Sequence, residues 1–202
     1  MEYHPPVTLE GRHVRLVPLE AEHATALLAV AQDPEIWTWV RYGALDTPAK
    51  MADQIRRLLV DQEQGEGLAF TVLLREGNVP IGMTRFLGIS RPDRAVEIGG
   101  TWYGKAYWRT AVNTESKFLL LRYAFETEGT HRVQLKTDLN NLRSQRAIER
   151  IGAVREGVLR EHLRLESGRY RTSVFYSILA EEWPTVRAEL LRKLERPWGR
   201  SG

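Results

Sequence analysis

Apolar and polar residues alternate around Val14 and Leu16 in "VTLEGRHVRLVPL", and this period of two predicts a first strand. The period then lengthens: in "EAEHATALLAVAQ", Ala24, Leu27, Leu28 and Ala31 recur at helical spacing. "DPEIWTWVRYGALDTP" follows neither period and reads as a loop holding Trp37, Trp39 and Tyr42. Residues 47–64 predict a second helix, with Thr47 as N-cap and Pro48 at the first helical position. "LAFTVLLRE" and "VPIGMTRFLGI" predict two strands joined by a turn at Gly77-Asn78. "RAVEIGGTWYG" predicts a third, and the pair Gly99-Gly100 inside it marks a bulge or a close approach of backbone.

"WRTAVNTESKFLLLRYAF" opens on small and polar residues and then becomes strongly apolar. It predicts a helix over 113–128 that begins at Asn113 and Thr114, ends near Gly129 and packs Phe118, Leu121 and Phe125 inward. "HRVQLKTDL" predicts a strand. "NNLRSQRAIERIGA" predicts a short helix with an Asn cap and a closing Gly152. "VREGVLREHLRLESGRYRTSVFYSIL" predicts a hairpin turning at Ser167-Gly168, before a last helix from about Glu181. The order is neither regular βαβ alternation nor all-β, so the expected class is α+β with a mixed sheet, in one domain over 1–202.

Composition narrows the chemistry. A chain of 202 residues, 43% hydrophobic, can bury a sizeable core. It has no cysteine, which excludes disulfides, thiolate metal sites and a cysteine nucleophile, and suits a reducing cytoplasm. No apolar run is long enough to span a membrane, and the opening segment lacks the basic-then-apolar pattern of a signal peptide, so a cytoplasmic location is expected. Basic residues number 29 against 26 acidic, an excess too small to demand a polyanionic partner. The chain lacks a Walker-type phosphate loop, a G-x-G-x-x-G fingerprint and a G-x-S-x-G elbow. Its histidines, His4, His13, His23, His131 and His162, show no metal-binding spacing, and no metal is expected.

The helix N-terminus after Trp108 is the feature with chemistry to offer. Unpaired amides and a partial positive charge there bind phosphate, and Thr110 and Ala111 are small enough to let an anion approach. Thr114 and Ser116 are candidate hydroxyl donors. An ordinary capped helix explains the same residues, and Glu115, in the expected first turn, opposes an anion.

The stretches "TLEGRHVRLVPL", "EIGGTWYGKAYWRTAVNTESKFLLLRYAFE", "RVQLKTDLNNLRSQRAIERIGA" with "REGVLREH", and "SVFYSILAEEWP" follow in an order that resembles the GNAT superfamily of acyl-coenzyme A-dependent N-acetyltransferases. The likeness covers about residues 8–194 and is greatest to the branch of ribosomal-protein N-terminal acetyltransferases. It implies the GNAT fold, a mixed and mostly antiparallel sheet with helices on both faces. It also implies an enzyme that moves an acetyl group from acetyl-coenzyme A to a primary amine by direct attack.

In that family a [QR]-x-x-G-x-[GA] turn cradles the pyrophosphate through its amides. Here the aligned residues are Trp108, Arg109, Thr110, Ala111, Val112 and Asn113, followed by Thr114, so the turn is degenerate. The resemblance further implies that the strand over 96–103 splays from the next one, and that an amide near Gly100 to Trp102 holds the thioester carbonyl. Glu97 matches a general-base position, with pairing to Arg94 or Arg85 as the structural alternative. His162 is a rival base, one residue before the position a related branch member uses, which is Leu163 here.

Ile148 stands where many members carry a tyrosine that protonates the thiolate, and Ser144 aligns with a serine that does so in the ribosomal branch. Asn141 contacts pantetheine or caps its helix. Arg146, in "RSQRAIER", is a candidate for the cofactor's 3′-phosphate. Trp37, Trp39 and Tyr42 border the acceptor cleft or bury a helix junction. The expected partners are acetyl-coenzyme A and an amine, either a small molecule or a protein N-terminus; no membrane or nucleic acid is expected, and a homodimer is allowed. A non-catalytic coenzyme A-binding module and a nucleic-acid-binding protein are the alternatives.

Overall fold

The alternation around Val14 and Leu16 resolves into a hairpin rather than one strand. β1 (Leu9–Glu10) and β2 (Val14–Pro18) pair antiparallel, Leu9 opposite Leu16. The computed structural model describes residues 7–196, so His4 and the rest of the opening segment lie outside it. The first helix is α1 (Ala24–Val30), preceded by a 3-10 turn over Ala21–His23. α2 (Pro48–Glu63) starts as its cap predicts: Lys50 N donates to Thr47 Oγ1 at 3.3 Å.

Three antiparallel strands follow, β3 (Gly67–Leu74), β4 (Val79–Ser90) and β5 (Ala95–Tyr103). α3 (Ala111–Arg122) begins two residues before the apolar pattern predicts. The reason is its cap: Thr110 Oγ1 accepts from Val112 N at 3.3 Å, which draws Ala111 and Val112 into the first turn. The helix continues as a π turn over Tyr123–Thr127. β6 (Arg132–Asp138), α4 (Leu142–Arg150), the hairpin of β7 (Val154–Arg164) with β8 (Tyr170–Leu179), and α5 (Trp183–Leu194) complete the order.

The eight strands of the described residues form one sheet in the order β1-β2-β3-β4-β5-β6-β8-β7. Every neighbouring pair is antiparallel except β5 and β6. Each face is covered by helices, as the alternating strands require. On one side α3 and α5 pack Leu120, Leu121 and Leu190 against Phe70, Phe86 and Tyr176. On the other, α1 and α2 pack Leu27, Met51 and Ile55 against Met83 and Trp102. Each such side chain contributes roughly 1.5–3 kcal/mol on burial. α3 is buried almost all round, including the polar residues Thr114, Glu115, Ser116 and Lys117. A helix submerged on every side has no polar face for the sequence pattern to show. No helix of the described residues is long and apolar enough to cross a membrane.

Candidate active site

The one parallel contact of the sheet is also its shortest long-strand pairing. β5 and β6 are joined only at Ala95↔Arg132, Val96↔Val133 and Glu97↔Gln134. Beyond Glu97 the two strands part, so the backbone groups of β5 from Ile98 to Trp102 face a gap with no ladder partner on β6. Such groups seek a hydrogen-bonding partner. The glycine pair lies in this stretch and makes the bulge: between Met83↔Trp102 and Arg85↔Gly99, β5 uses three residues where β4 uses two. Gly100 takes φ +57, and a Cβ there would approach Arg85 Nε to 3.1 Å.

α3 begins beside the open end of the gap, where Trp108, three residues before it, is tied to Tyr103 at the end of β5. Four amides at a helix start have no intrahelical partner. Thr110 Oγ1 takes that of Val112, which leaves those of Thr110, Ala111 and Asn113 for a ligand. The left-handed residue of this turn is Arg109, at φ +61, while Ala111 is already helical. Alanine in place of the pattern's glycine is therefore unstrained.

Trp108, in place of Gln or Arg, is a prop. Its Nε1 donates to Tyr103 O at 3.0 Å, and the Arg143 guanidinium of α4 lies 3.6 Å from the centre of one ring. Glu115 is turned away from the helix end. Its carboxylate accepts from the backbone amides of Arg12, His13 and Val14 at 2.8, 2.6 and 2.7 Å, so it does not oppose an anion. Thr114 and Ser116 are wholly buried, which removes their hydroxyls from the turn and leaves only the Thr114 amide near it.

At the closed end of the gap stands Glu97, 9% exposed. It pairs with neither Arg94 nor Arg85, which bind Gly129 O and Asp61 instead. Its partners come from β6: Lys136 Nζ at 2.6 Å and Gln134 Nε2 at 3.1 Å. Lys136 lies 5.8 Å from the ring centre of Phe175, directly across on β8, and the His162 ring meets the same phenyl edge-on at 5.1 Å. Glu97 and His162 thus share one face of the sheet. His162 Nδ1 lies 3.1 Å from Ser173 Oγ, which also accepts from Arg171 Nε at 2.9 Å. Burial, then the charges of Lys136 and Arg171, holds the imidazole below its ordinary pKa.

Ser144 is half-buried in the first turn of α4, where its amide donates to the Asn141 side chain at 3.0 Å. Asn141 therefore caps its helix. Ile148 and Ile151 on the same helix face are buried, as their spacing predicts. Arg146 lies exposed on α4.

Trp37 is a core residue. Its Nε1 donates to Ala31 O at 2.8 Å, and it packs on Trp102 at 5.1 Å and Tyr42 at 6.5 Å. Burial pushes the Tyr42 phenol up to about 12, against the pull of Arg85. Trp39 is half-buried. Motif reading missed Lys136, whereas Arg143 opens the quoted "RSQRAIER" and is found on Trp108. The signal for Lys136 was present, since Gln134 and Lys136 alternate with the apolar Val133 and Leu135.

The acetyltransferase (GNAT) domain model matches residues 13–154. A crystal structure of a provisionally named acetyltransferase from T. thermophilus is 39% identical, covers 95% of this chain and 99% of its own, and superposes with a TM-score of 0.86. YdaF of Bacillus subtilis (strain 168), provisionally named a ribosomal N-acetyltransferase, is 32% identical over 55% of this chain and 59% of its own length. Mycobacterium smegmatis RimJ in complex with CoA-disulfide shares the fold at 20% identity, with a TM-score of 0.82 over 97% of this chain and 100% of its own. The model match spans most of the chain and contains the parted strands and the α3 N-terminus: this protein belongs to the GNAT family of acetyltransferases.

Proposed function

We propose that the protein moves the acetyl group of acetyl-coenzyme A to a primary amine, a protein N-terminus or a small amine, by direct attack in a ternary complex. The observation that carries this reading is the gap between β5 and β6, with free amides of α3 at its mouth and a buried carboxylate at its closed end. An extended pantetheine chain would satisfy the unpaired edge of β5, and the free amides of Thr110, Ala111 and Asn113 would hold the diphosphate. RimJ with bound CoA-disulfide, which shares this fold, supports that ligand. Ribosomal proteins as acceptors draw support from the name of YdaF.

Glu97 is the proton acceptor for the attacking amine, directly or through water. His162 suits that role less. Its Nδ1 is engaged with Ser173 Oγ, which also accepts from Arg171 Nε, and this leaves Nε2 as the ring atom toward an acceptor. Ser144, half-buried beside the capping Asn141, is the hydroxyl that the ribosomal branch would use at the thiolate. Trp39 and Tyr42 border the acceptor side, and Arg146 is free to meet a phosphate.

A panel of amines and N-terminal peptides, incubated with acetyl-coenzyme A and read by free thiol, tests the reaction. Thiol release that depends on an acceptor is expected, with intersecting initial-velocity lines. Binding without release for every amine, or a ping-pong pattern, would overturn the reading. Arg109→Gly tests the cradle: glycine keeps the left-handed turn and removes only the guanidinium. Coenzyme A affinity measured by calorimetry should fall by no more than about tenfold, one charge-assisted contact's worth. A fall beyond a hundredfold would mean that side chains, not amides, do the holding.

A further inference from the structure

Lys117 is a buried cation that the reaction above leaves unused. It stands in the second turn of α3, 6% exposed, and its Nζ donates to Thr101 Oγ1 at 2.6 Å. Thr101 lies in the unpaired stretch of β5, beyond the last residue joined to β6. Nζ therefore sits against the β5 rim of the gap on the α3 side, opposite the face that carries Glu97, Lys136 and His162. Thr101 Oγ1 also meets Thr84 Oγ1 of β4 at 2.8 Å, so the lysine is anchored on the strand that borders the slot and, through it, on the next.

Among the described residues no carboxylate lies within ion-pairing distance of Nζ. From β5 the charge that acts on it is Glu97, whose carboxylate is already held by Lys136 of β6. On α3 itself Glu115 is turned onto the β1–β2 loop. A buried ammonium without an ion-pair partner is expensive to keep where a methionine would fill the same space. Its position points to a negative charge that arises only during the reaction.

We infer that Lys117, held by Thr101, is a catalytic residue that stabilises the departing thiolate from the β5 rim of the slot and gives it a proton. The inference rests on the acetyl transfer proposed above. In the step, the amine nitrogen bonds to the carbonyl carbon, the C–S bond breaks and its electron pair leaves on sulfur. The proton of the attacking nitrogen passes to Glu97, and the proton of Nζ passes to sulfur. Water then returns a proton to Nζ and takes one from Glu97. The transfer to sulfur runs downhill. Burial pulls Lys117 down to about 7, with Glu97 acting the other way, whereas a free thiol titrates near ~8.5.

With an amine acceptor, the kcat of the wild-type protein should lose its Lys117-dependent part as pH rises through about 7, where the lysine gives up the proton it would pass to sulfur. In Lys117→Met that alkaline loss should vanish, and kcat below pH 7 should be about tenfold lower while KM for acetyl-coenzyme A stays within threefold. Identical pH profiles of kcat in the two proteins would overturn the inference and leave acetyl transfer standing. Failure of every amine to release thiol would instead overturn the transfer. Should Lys117→Met not fold, Thr101→Val keeps the lysine, removes its anchor and is read in the same way.

Discussion

Glu97→Gln is expected to lower kcat by about 10²–10³-fold, within the range for loss of a positioned general base. The amide has the shape of the carboxylate and can still accept from Lys136 and Gln134, but it cannot take a proton from the attacking nitrogen. KM for acetyl-coenzyme A should hold, because Glu97 lies at the closed end of the gap, far from the amides at its mouth. Lys136→Met separates catalysis from packing, since it breaks the 2.6 Å pair from the other side and keeps the carboxylate. A purely structural pair predicts equal losses in the two variants. A fall of less than fivefold in Glu97→Gln would remove Glu97 from the proton path.

Glu115→Ala should give the largest loss of stability, about 3–5 kcal/mol, the range for breaking a buried charged contact. The carboxylate is 4% exposed and receives three backbone amides from residues 12–14. Removing it strands those donors at the point where the β1–β2 turn meets α3. For a chain of this length the midpoint of thermal unfolding should fall by roughly 10 °C. Glu115→Gln keeps one acceptor oxygen and should lose about half as much. Calorimetry showing a drop under 3 °C for the alanine variant would mean that water replaces the carboxylate at no loss. The contact also explains Gly11, where a Cβ would come 2.6 Å from Glu115 Cδ.

Periodicity served well wherever one face of an element meets solvent. α2, α4 and the β7–β8 hairpin follow the pattern closely, and their boundary residues, Thr47, Asn141 and Gly168, act through their own backbone or side chain. It served less well for α3. That helix is submerged, so its start was set by the Thr110 cap and not by the onset of apolar residues. Glu115 illustrates the same difficulty: near the start of a helix a carboxylate reads as an opponent of anions, but its partners lie 101–103 residues earlier in the chain. The degenerate turn posed a question about Ala111 that was settled by a dihedral angle at Arg109.

The chain by itself determined its element order, the bulge at Gly99-Gly100, the capped helix that follows it and the family those features resemble. These depend on residues near one another in sequence, where turn chemistry and side-chain period act directly. Tertiary structure decided the partners: Lys136 rather than an arginine for Glu97, Thr101 for Lys117, and one shared sheet face for Glu97 and His162. The parting of β5 from β6 was expected from resemblance alone, and its extent appears only in the pairing itself. The physical reason is that a parallel contact joins segments 37 residues apart, as at Glu97 and Gln134, and no local pattern records where such a contact stops.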